Sequence, residues 1–308
     1  MSFDDISDHE LMLKDEVRTR AYERAIERVV RPGARVLDFG CGSGILSFFA
    51  ARAGAERVYA VDESPFIRVA EALAKKNGFD NITFLKTDGG AFALPEKVDV
   101  IVSEWMGRFV FRDMMLDALL RARDAHLAPG GVMVPRLVRP FAALAALPEL
   151  HDELAFFDRR PYGLDLSPVR DWPFDRTVQR SVDPSALLCA PVDVGAIDVS
   201  QLSSAPKLVE GTATMTRDGL AHAIVGWFEA ELADDVVLAT GPSDPTTHWK
   251  QLVFPLRQPL ALVRGATAQL QVRPLVLRSA PHWAWSVRVG SNTVWGDDFS
   301  YQAFVNPK

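Results

Sequence analysis

The sequence predicts an α/β protein in which a doubly wound parallel sheet is followed by an antiparallel β domain. The first part of the 308-residue chain alternates short apolar strands with helical patterns. The second half has few helical patterns and many short runs of alternating apolar and polar residues. Alternation of strands and helices is typical of a parallel sheet that is covered on both faces. A period of two is typical of antiparallel strands.

The elements of the first part follow one another closely. Residues 9–30 form one predicted amphipathic helix, because apolar residues recur there at helical spacing and Arg-Pro-Gly at 31–33 stops it. The predicted strands are residues 35–39, 57–62, 82–85 and 98–102, and the predicted helices are 45–53, 65–76 and 111–126. A Pro-Gly-Gly turn at residues 129–131 ends this part.

The second part is predicted to be an antiparallel, barrel-like β domain, with alternating runs at 221–232, 266–272 and 283–289. Residues 151–190 form an insert that is too apolar for a solvent loop. Two interpretations stay open for it: an arm that packs on another subunit, or a lobe that caps the same chain. We therefore divide the chain into an N-terminal helical segment (1–30), a parallel-sheet domain (31–135) and a β domain (136–308).

Composition excludes several classes of protein. The chain is 48% hydrophobic and 24% charged, which is ordinary for a globular protein. A net charge of −6 argues against a general nucleic-acid surface, and no apolar run reaches the length of a membrane span. The N-terminus lacks the features of a signal peptide, and Cys41 lies within a glycine loop rather than in a disulfide framework. We expect a cytoplasmic protein with no nucleic-acid, membrane or metal partner.

A glycine-rich loop follows the first predicted strand and opens a helix. Its sequence, GCGSG at residues 40–44, includes Gly40 and Gly42, which let a ligand approach the backbone and the helix N–H groups. Asp62 ends the second strand, where a carboxylate can accept hydrogen bonds from both hydroxyls of a ribose. A tight strand-to-helix turn is the structural alternative. The order strand, glycine loop, helix, strand and acid favours a nucleotide-type cofactor.

The spacing of these glycines favours S-adenosylmethionine over a dinucleotide. A dinucleotide fingerprint needs Gly or Ala where Ile45 stands. S-adenosylmethionine has no pyrophosphate and fits the shorter motif better. Asp38, just before the loop, either faces the ammonium group of the cofactor or caps the following turn.

A pair of acids marks the candidate substrate site. Glu104 lies within SEWMG at residues 103–107, at the end of a predicted buried strand, and Asp113 follows on the same loop. Two carboxylates suit a planar cation, since a guanidinium offers forked N–H donors to two pairs of oxygen atoms. The loop therefore indicates cofactor chemistry performed on a guanidine.

Four motifs, in order along nearly the whole chain, resemble the protein arginine methyltransferase family. They are the N-terminal helix motif, the cofactor loop, the start of the double-glutamate loop and the Thr-His-Trp loop, at residues 12–19, 36–47, 103–107 and 247–251. Residues 162–163 and 182–184 resemble the edges of the family's dimerisation arm. The resemblance implies a Rossmann-like domain that binds S-adenosylmethionine, a β-barrel domain and a homodimer formed through an arm at about 151–190.

The resemblance also implies cofactor roles for individual residues. Arg18 would pair with the carboxylate of the cofactor, and His9 would lie near it. Gly40 would contact the cofactor, and Asp62 would hold the ribose where the family usually has Glu. Gly90 stands where the family usually has a Glu near the adenine, so Asp88 is the candidate for that contact.

Catalytic and substrate-binding roles are implied in the same way. Glu104 and Asp113 would be the two acids of the clamp, with Asp113 one methylene shorter than the usual Glu. Asp15 and His248 would form an acid–imidazole pair that removes a proton. Met106, Arg108 and Trp249 would complete the substrate site. Arg108 stands where many members have Tyr. It either binds a carboxylate of the substrate, or it points to solvent or pairs with neighbouring acids.

These patterns predict transfer of methyl from S-adenosylmethionine to a guanidino nitrogen of arginine, protein-bound or free, with S-adenosylhomocysteine as the product. One alternative is a methyltransferase for a small guanidino metabolite in secondary metabolism, which Arg108 and the shorter Asp113 favour. Another is a catalytically silent protein that binds the cofactor, motivated by Asp113 and Gly90.

Overall fold

The computed structural model of the chain describes residues 6–87, 92–110, 115–277 and 280–300. Its N-terminal part consists of α1 (Ile6–Lys14) and α2 (Glu16–Val29), so the single helix predicted for residues 9–30 is wrong. The break is at Asp15, whose Oδ1 accepts a hydrogen bond of 3.0 Å from the backbone N–H of Arg18. A carboxylate at this position satisfies a free amide of the first turn, and a new helix therefore begins there.

A parallel sheet follows, with its strands in the order β3-β2-β1-β4-β5. Its elements are β1 (Arg35–Phe39), α3 (Ile45–Arg52), β2 (Arg57–Asp62), α4 (Ile67–Lys76), β3 (Ile82–Lys86), β4 (Val98–Val102), α5 (Met115–His126) and β5 (Leu127–Val134). The strand order reverses between β1 and β4. Ligands of such sheets bind where the carboxyl ends of the strands meet this reversal.

The turn predicted at residues 129–131 is wrong, because β5 runs through it. The strand accommodates Pro-Gly-Gly by a shift of register opposite β4, between Val98 and Val100. Gly130 has φ +77°, a value that glycine adopts without steric cost. The glycines therefore bend the strand locally without ending it.

The β domain is formed by antiparallel strands, as predicted. One sheet has the order β7-β13-β11-β6-β8, with β12 beside β11 and β9 beside β6, and another has the order β10-β14-β15-β16. The strands are β6 (Leu137–Ala145), β7 (Val178–Arg180), β8 (Val192–Asp193), β9 (Ile197–Asp198), β10 (Val209–Thr214), β11 (Gly219–Ala233), β12 (Val236–Ala239), β13 (Gln251–Leu262), β14 (Thr267–Leu277), β15 (Ala280–Val289) and β16 (Asn292–Asp297).

The insert at residues 151–190 begins in α6 (Pro148–Leu154) and continues through short 3₁₀ turns to β7. β7 then returns the chain to the β domain by pairing with β13. Within the described ranges, no helix is both long and apolar enough to cross a membrane.

The loop after β4 connects the hydrophobic cores of the two parts. Trp105 and Met106 belong to the core around the parallel sheet. Phe109, on the same loop, belongs instead to the core of the β domain, where its ring lies 5.6 Å from that of Phe254. A Cβ on Gly226 would lie 2.7 Å from the Phe109 ring, so glycine makes room for this anchor. Both cores therefore fix the loop that carries Glu104.

Candidate active site

The glycine loop at the end of β1 is held open by backbone conformation and by Asp62. Gly40, Gly42 and Gly44 have φ of +75°, +50° and +81°, which L side chains rarely adopt. Oδ2 of Asp62 accepts the N–H of Gly42 at 2.8 Å, and its Oδ1 accepts the N–H of Ser64 at 2.8 Å. Asp62 thus shapes the loop from the neighbouring strand.

His9 lies directly over this loop. It is buried, and its ring stacks on Phe66 with 3.7 Å between centroids. A Cβ on Gly42 would lie 2.9 Å from Cε1 of His9, so glycine is needed for this close approach. The histidine of α1 therefore lies next to the glycine loop.

Asp38 lies fully buried at the same edge of the sheet. Its Oδ2 accepts a 2.6 Å hydrogen bond from the hydroxyl of Ser47 in α3, while its Oδ1 has no partner among the described residues. Burial raises the pKa of this carboxyl to about 7, although the hydrogen bonds from Ser47 lower it. Both interpretations offered for Asp38 have a basis: one oxygen binds the helix, and the other is available to a cation.

Arg18 and Glu104 meet at the reversal of strand order. Nη2 of Arg18 lies 3.2 Å from Oε2 of Glu104. The other carboxylate oxygen of Glu104 accepts the N–H of Met106 at 3.3 Å. Nε of Arg18 is buried without a partner among the described residues, so this guanidinium has a donor left for a further anion.

Asp15 and His248 form the predicted acid–imidazole pair. Oδ2 of Asp15 lies 2.8 Å from Nδ1 of His248 and also accepts its backbone N–H at 2.7 Å. Burial alone would raise the pKa of Asp15, but hydrogen bonds from the His248 side chain and from the backbone amides of Arg18 and His248 leave it below its usual value. An ionised Asp15 therefore fixes the imidazole on the loop before β13.

The remaining predicted residues divide into two groups. Trp249 and Met106 are buried beside the pair of charges, with the Trp249 ring 5.9 Å from the Arg18 guanidinium. Arg108 is half-buried on the Glu104 loop. Asp113 and Asp88 lie outside the described residues, as does Gly90.

Curated relatives decide the family. The chain is 39% identical over 272 residues to protein arginine N-methyltransferase 1 of Schizosaccharomyces pombe, covering 83% of this chain and 78% of the relative. It is 36% identical over 278 residues to the protein of the same name from Chlamydomonas reinhardtii, covering 86% and 80%. The chain belongs to the protein arginine N-methyltransferase family. Membership makes it an arginine N-methyltransferase that uses S-adenosylmethionine, and the two alternative functions are not favoured.

Family models match both parts of this methyltransferase. The arginine methyltransferase oligomerization subdomain matches residues 141–281, and the ribosomal protein L11 methyltransferase (PrmA) model matches residues 19–134. The first match includes the insert and most of the β domain. The second includes the glycine loop and Glu104.

Solved structures show the same fold. The Trypanosoma brucei PRMT1 enzyme–prozyme heterotetrameric complex with AdoHcy superposes with a TM-score of 0.86 at 28% identity, covering 96% of this chain and 99% of that chain. Arabidopsis thaliana protein arginine methyltransferase 10 superposes with a TM-score of 0.81 at 26% identity, covering 96% and 99%. The predicted Rossmann-like and β-barrel architecture is confirmed.

The residues of this methyltransferase fit S-adenosylmethionine. The unpartnered Oδ1 of Asp38 suits an ammonium group, and the unpartnered Nε of Arg18 suits a carboxylate.

Three residues that contact the candidate site residues or the loop that carries Glu104 were not identified from the sequence: Tyr22, Ser47 and Phe66. The position of Tyr22, four residues after Arg18 on α2, was the one available signal, because residues at this spacing share a helix face.

Proposed function

We propose that this enzyme methylates arginine side chains of proteins. The observation that carries the proposal is the Glu104 carboxylate, held at the end of β4 beside the glycine loop and only 12% exposed. A buried acid at that place suits a cationic guanidinium that enters next to the cofactor. The relatives that match over most of the chain are named for protein arginine, which supports a protein substrate over free arginine.

S-adenosylmethionine, when bound, supplies a methyl group activated on a sulfonium. A free guanidinium is protonated at physiological pH, so its nitrogens are poor nucleophiles unless the site redistributes its charge. Glu104 would orient the group by charge-assisted hydrogen bonds and draw positive charge away from the attacking nitrogen. We assign the second acid of this clamp to Asp113 and further substrate contacts to Met106, Arg108 and Trp249.

The cofactor would be held by residues from every element around the glycine loop. Arg18 would bind its carboxylate and Asp38 its ammonium group, since each has an unpartnered atom there. Asp62 would accept the ribose hydroxyls with the free lone pairs of its carboxylate. His9 would cover the methionine part, Gly40 and Gly42 would line the base of the site, and Asp88 would contact the adenine.

His248 would receive the proton that the guanidino nitrogen loses. Its Nδ1 faces Asp15 at 2.8 Å, so Nε2 is the nitrogen left to accept a proton. Asp15 would stabilise the resulting imidazolium, because its own pKa is held low by the same contacts. The pair would act after or during methyl transfer.

We also infer that the enzyme is a homodimer in which residues 151–190 form the arm. Large apolar side chains are exposed along this segment: Tyr162 is 96%, Leu164 60% and Phe156 47% exposed. A segment of this kind is unusual on a monomer and typical of an interface. Leu11 on α1 and Leu73 on α4 are further exposed apolar side chains of the same chain. Substitution of Tyr162 and Leu164 by Asp is expected to yield monomers by light scattering.

A cytoplasmic location is part of the proposal. Cys41 and Cys189 are both buried and unbridged thiols, which suits a reducing compartment. Cell fractionation that finds the enzyme outside the cytoplasmic fraction would overturn this assignment.

The function is tested by mass spectrometry with methyl-labelled S-adenosylmethionine, offered in parallel with an Arg/Gly-rich peptide and free L-arginine. We expect label on the peptide. Label on free arginine alone would overturn the protein substrate and give Arg108 a carboxylate to bind. Absence of label from both would overturn arginine methylation by this chain, provided that calorimetry shows that the cofactor binds.

A further inference from the structure

The hydroxyl of Tyr22 contacts the backbone from which Glu104 projects. Tyr22 lies on α2 and is fully buried. It donates a hydrogen bond of 3.1 Å to the carbonyl oxygen of Ser103, the residue directly before Glu104. Sδ of Met106 lies 3.8 Å from the same hydroxyl oxygen. One phenol therefore contacts the loop on both sides of the acid.

Ser103 is itself tied to the edge of the sheet. Its hydroxyl donates to the carbonyl of Phe39, the last residue of β1, at 2.7 Å. Its N–H donates to the carbonyl of Val134 in β5 at 2.9 Å. With Tyr22 added, the backbone at this corner is fixed from the strands on both sides and from the helix above.

The same tyrosine lies beside the arginine that pairs with Glu104. Arg18 and Tyr22 are four residues apart on α2, and the Arg18 guanidinium lies 5.8 Å from the centroid of the Tyr22 ring. Its Nη2 reaches Oε2 of Glu104 at 3.2 Å. One helix face therefore holds the acid by its side chain, through Arg18, and by its backbone, through Tyr22.

We propose that Tyr22 is a positioning residue for methyl transfer, which orients Glu104 by fixing the carbonyl of Ser103. The proposal rests on the role of Glu104 in the proposed function. The hydroxyl stays a donor at working pH, because burial and the nearby charge of Glu104 raise the pKa of Tyr22 well above its usual value. Methyl transfer needs the acceptor nitrogen in line with the methyl group, so a small shift of Glu104 slows the step.

The test is Tyr22→Phe, which keeps the ring beside Arg18 and removes the hydroxyl. Tyr59→Phe is the matched control, since Tyr59 is a buried tyrosine of β2 whose hydroxyl donates to Glu96 at 2.7 Å, away from Glu104. We expect kcat to fall by about tenfold in Tyr22→Phe and to change little in Tyr59→Phe. The Kd for S-adenosylmethionine is expected to stay unchanged in both.

Hydrogen exchange over residues 103–110 gives a second readout that does not need activity. Loss of the hydroxyl is expected to raise exchange there by about tenfold relative to Tyr59→Phe, because loss of a buried hydrogen bond favours local opening. Equal exchange in the two variants, or equal kcat, would overturn the positioning role. So would a Tyr22→Phe protein that fails to fold while Tyr59→Phe folds, since the hydroxyl would then serve stability.

The two readouts separate this proposal from the function on which it rests. In one outcome, exchange at residues 103–110 is faster in Tyr22→Phe, but the wild-type enzyme methylates no arginine. Tyr22 would then still position Glu104, and the use of Glu104 as a guanidinium clamp would be overturned. In the other outcome, the wild-type enzyme methylates arginine, but exchange is unchanged in Tyr22→Phe. The guanidinium clamp would then stand, and the positioning role of Tyr22 would be overturned.

Discussion

Arg18 and Glu104 form an ion pair of 3.2 Å, although 86 residues separate them along the chain. The pair joins the residue assigned to the cofactor carboxylate with the residue assigned to the substrate guanidinium. Both side chains are largely buried, so neither charge is screened by bulk water. The charges of the two ligand sites are therefore coupled before either ligand arrives.

Glu104→Gln is expected to reduce turnover by roughly 10²–10³-fold, since it removes a charge that stabilises the transition state. Cofactor binding is expected to stay nearly intact, because Arg18 keeps its donors for the cofactor carboxylate. Steady-state kinetics and calorimetry check the two parts.

Glu23→Gln is the control for this change. Glu23 lies on α2, and its side chain has the same 12% exposure as that of Glu104. It forms ion pairs with Arg20 and Arg52 rather than with Arg18. We expect it to retain turnover at some loss of stability. If Glu104→Gln lost cofactor binding and Glu23→Gln did not, Glu104 would be a structural acid.

Binding of S-adenosylmethionine is expected to depend on the charge of Asp38. With a pKa of about 7 in the free protein, this carboxyl is largely protonated at lower pH and attracts an ammonium group less. Affinity should therefore strengthen by about fivefold between pH 6 and pH 7 and level off above about pH 8. Asp38→Asn should abolish this dependence, while Asp99→Asn, at the start of β4, should keep it. Calorimetry at several pH values measures both.

The same carboxyl makes a prediction for the stability of the cofactor-free protein. Its pKa is raised from 3.8 in the unfolded chain to about 7 in the folded protein, so the folded state holds the proton more tightly. Protonated Asp38 therefore stabilises the folded state at low pH, and this contribution to the free energy of unfolding is lost as the pH rises from about 4 to about 7. Denaturant unfolding of wild type and Asp38→Asn at pH 5 and pH 7 checks the sign.

The local apolar pattern predicts the strands of the parallel sheet, but it does not predict the break between the two N-terminal helices. β1, β2 and β4 begin and end at the predicted residues, because each is a short apolar run bounded by turn residues. The break at Asp15 escaped prediction because the apolar period of residues 9–30 continues through it. Asp15 caps α2 by accepting the N–H of Arg18, and its other carboxylate oxygen binds His248, 233 residues away, a contact that no local pattern contains.

Candidate site residues could be predicted where a motif contained them. Arg18, Asp15, His248 and Glu104 were found from the resemblance, and the structure brings them together. Tyr22 belongs to none of the four motifs, and a single tyrosine in an amphipathic helix is typical of an ordinary core residue. Its role depends on a carbonyl 81 residues away, at Ser103, and emerges from the tertiary structure alone.

Asp15→Asn is expected to lower kcat by roughly 10²-fold, the usual contribution of one acid–base group. Asn caps helices about as well as Asp, so the start of α2 should survive, but its amide nitrogen cannot accept the hydrogen bonds that Oδ2 receives from the backbone N–H and Nδ1 of His248. The loss of charge would leave the His248 imidazolium unsupported. Asp183→Asn is the control, because Asp183 caps a 3₁₀ turn by accepting the N–H of Ser185 at 2.8 Å. Unchanged kcat in Asp15→Asn would remove the pair from the proton path.

Gln179 connects the insert to the loop of His248. It lies on β7, at the end of the insert, and its Nε2 donates hydrogen bonds of 2.8 Å to the carbonyls of His248 and Trp249. One side chain therefore holds two successive residues of the active-site loop. The loop is fixed by Asp15 from α2 on one side and by the insert on the other.

Gln179→Leu is expected to lower kcat several-fold, because it leaves two carbonyls without their donor, at about 1–3 kcal/mol for each buried group left unsatisfied. Gln179→Glu should lower it further, since an acceptor then faces both carbonyls. Gln271→Leu, whose side chain bonds Glu210 on an exposed part of β14, is the matched control and should keep wild-type kcat. Steady-state kinetics on the Arg/Gly-rich peptide measures all three. A Gln179→Leu enzyme with wild-type kcat would show that Asp15 holds His248 without help from the insert.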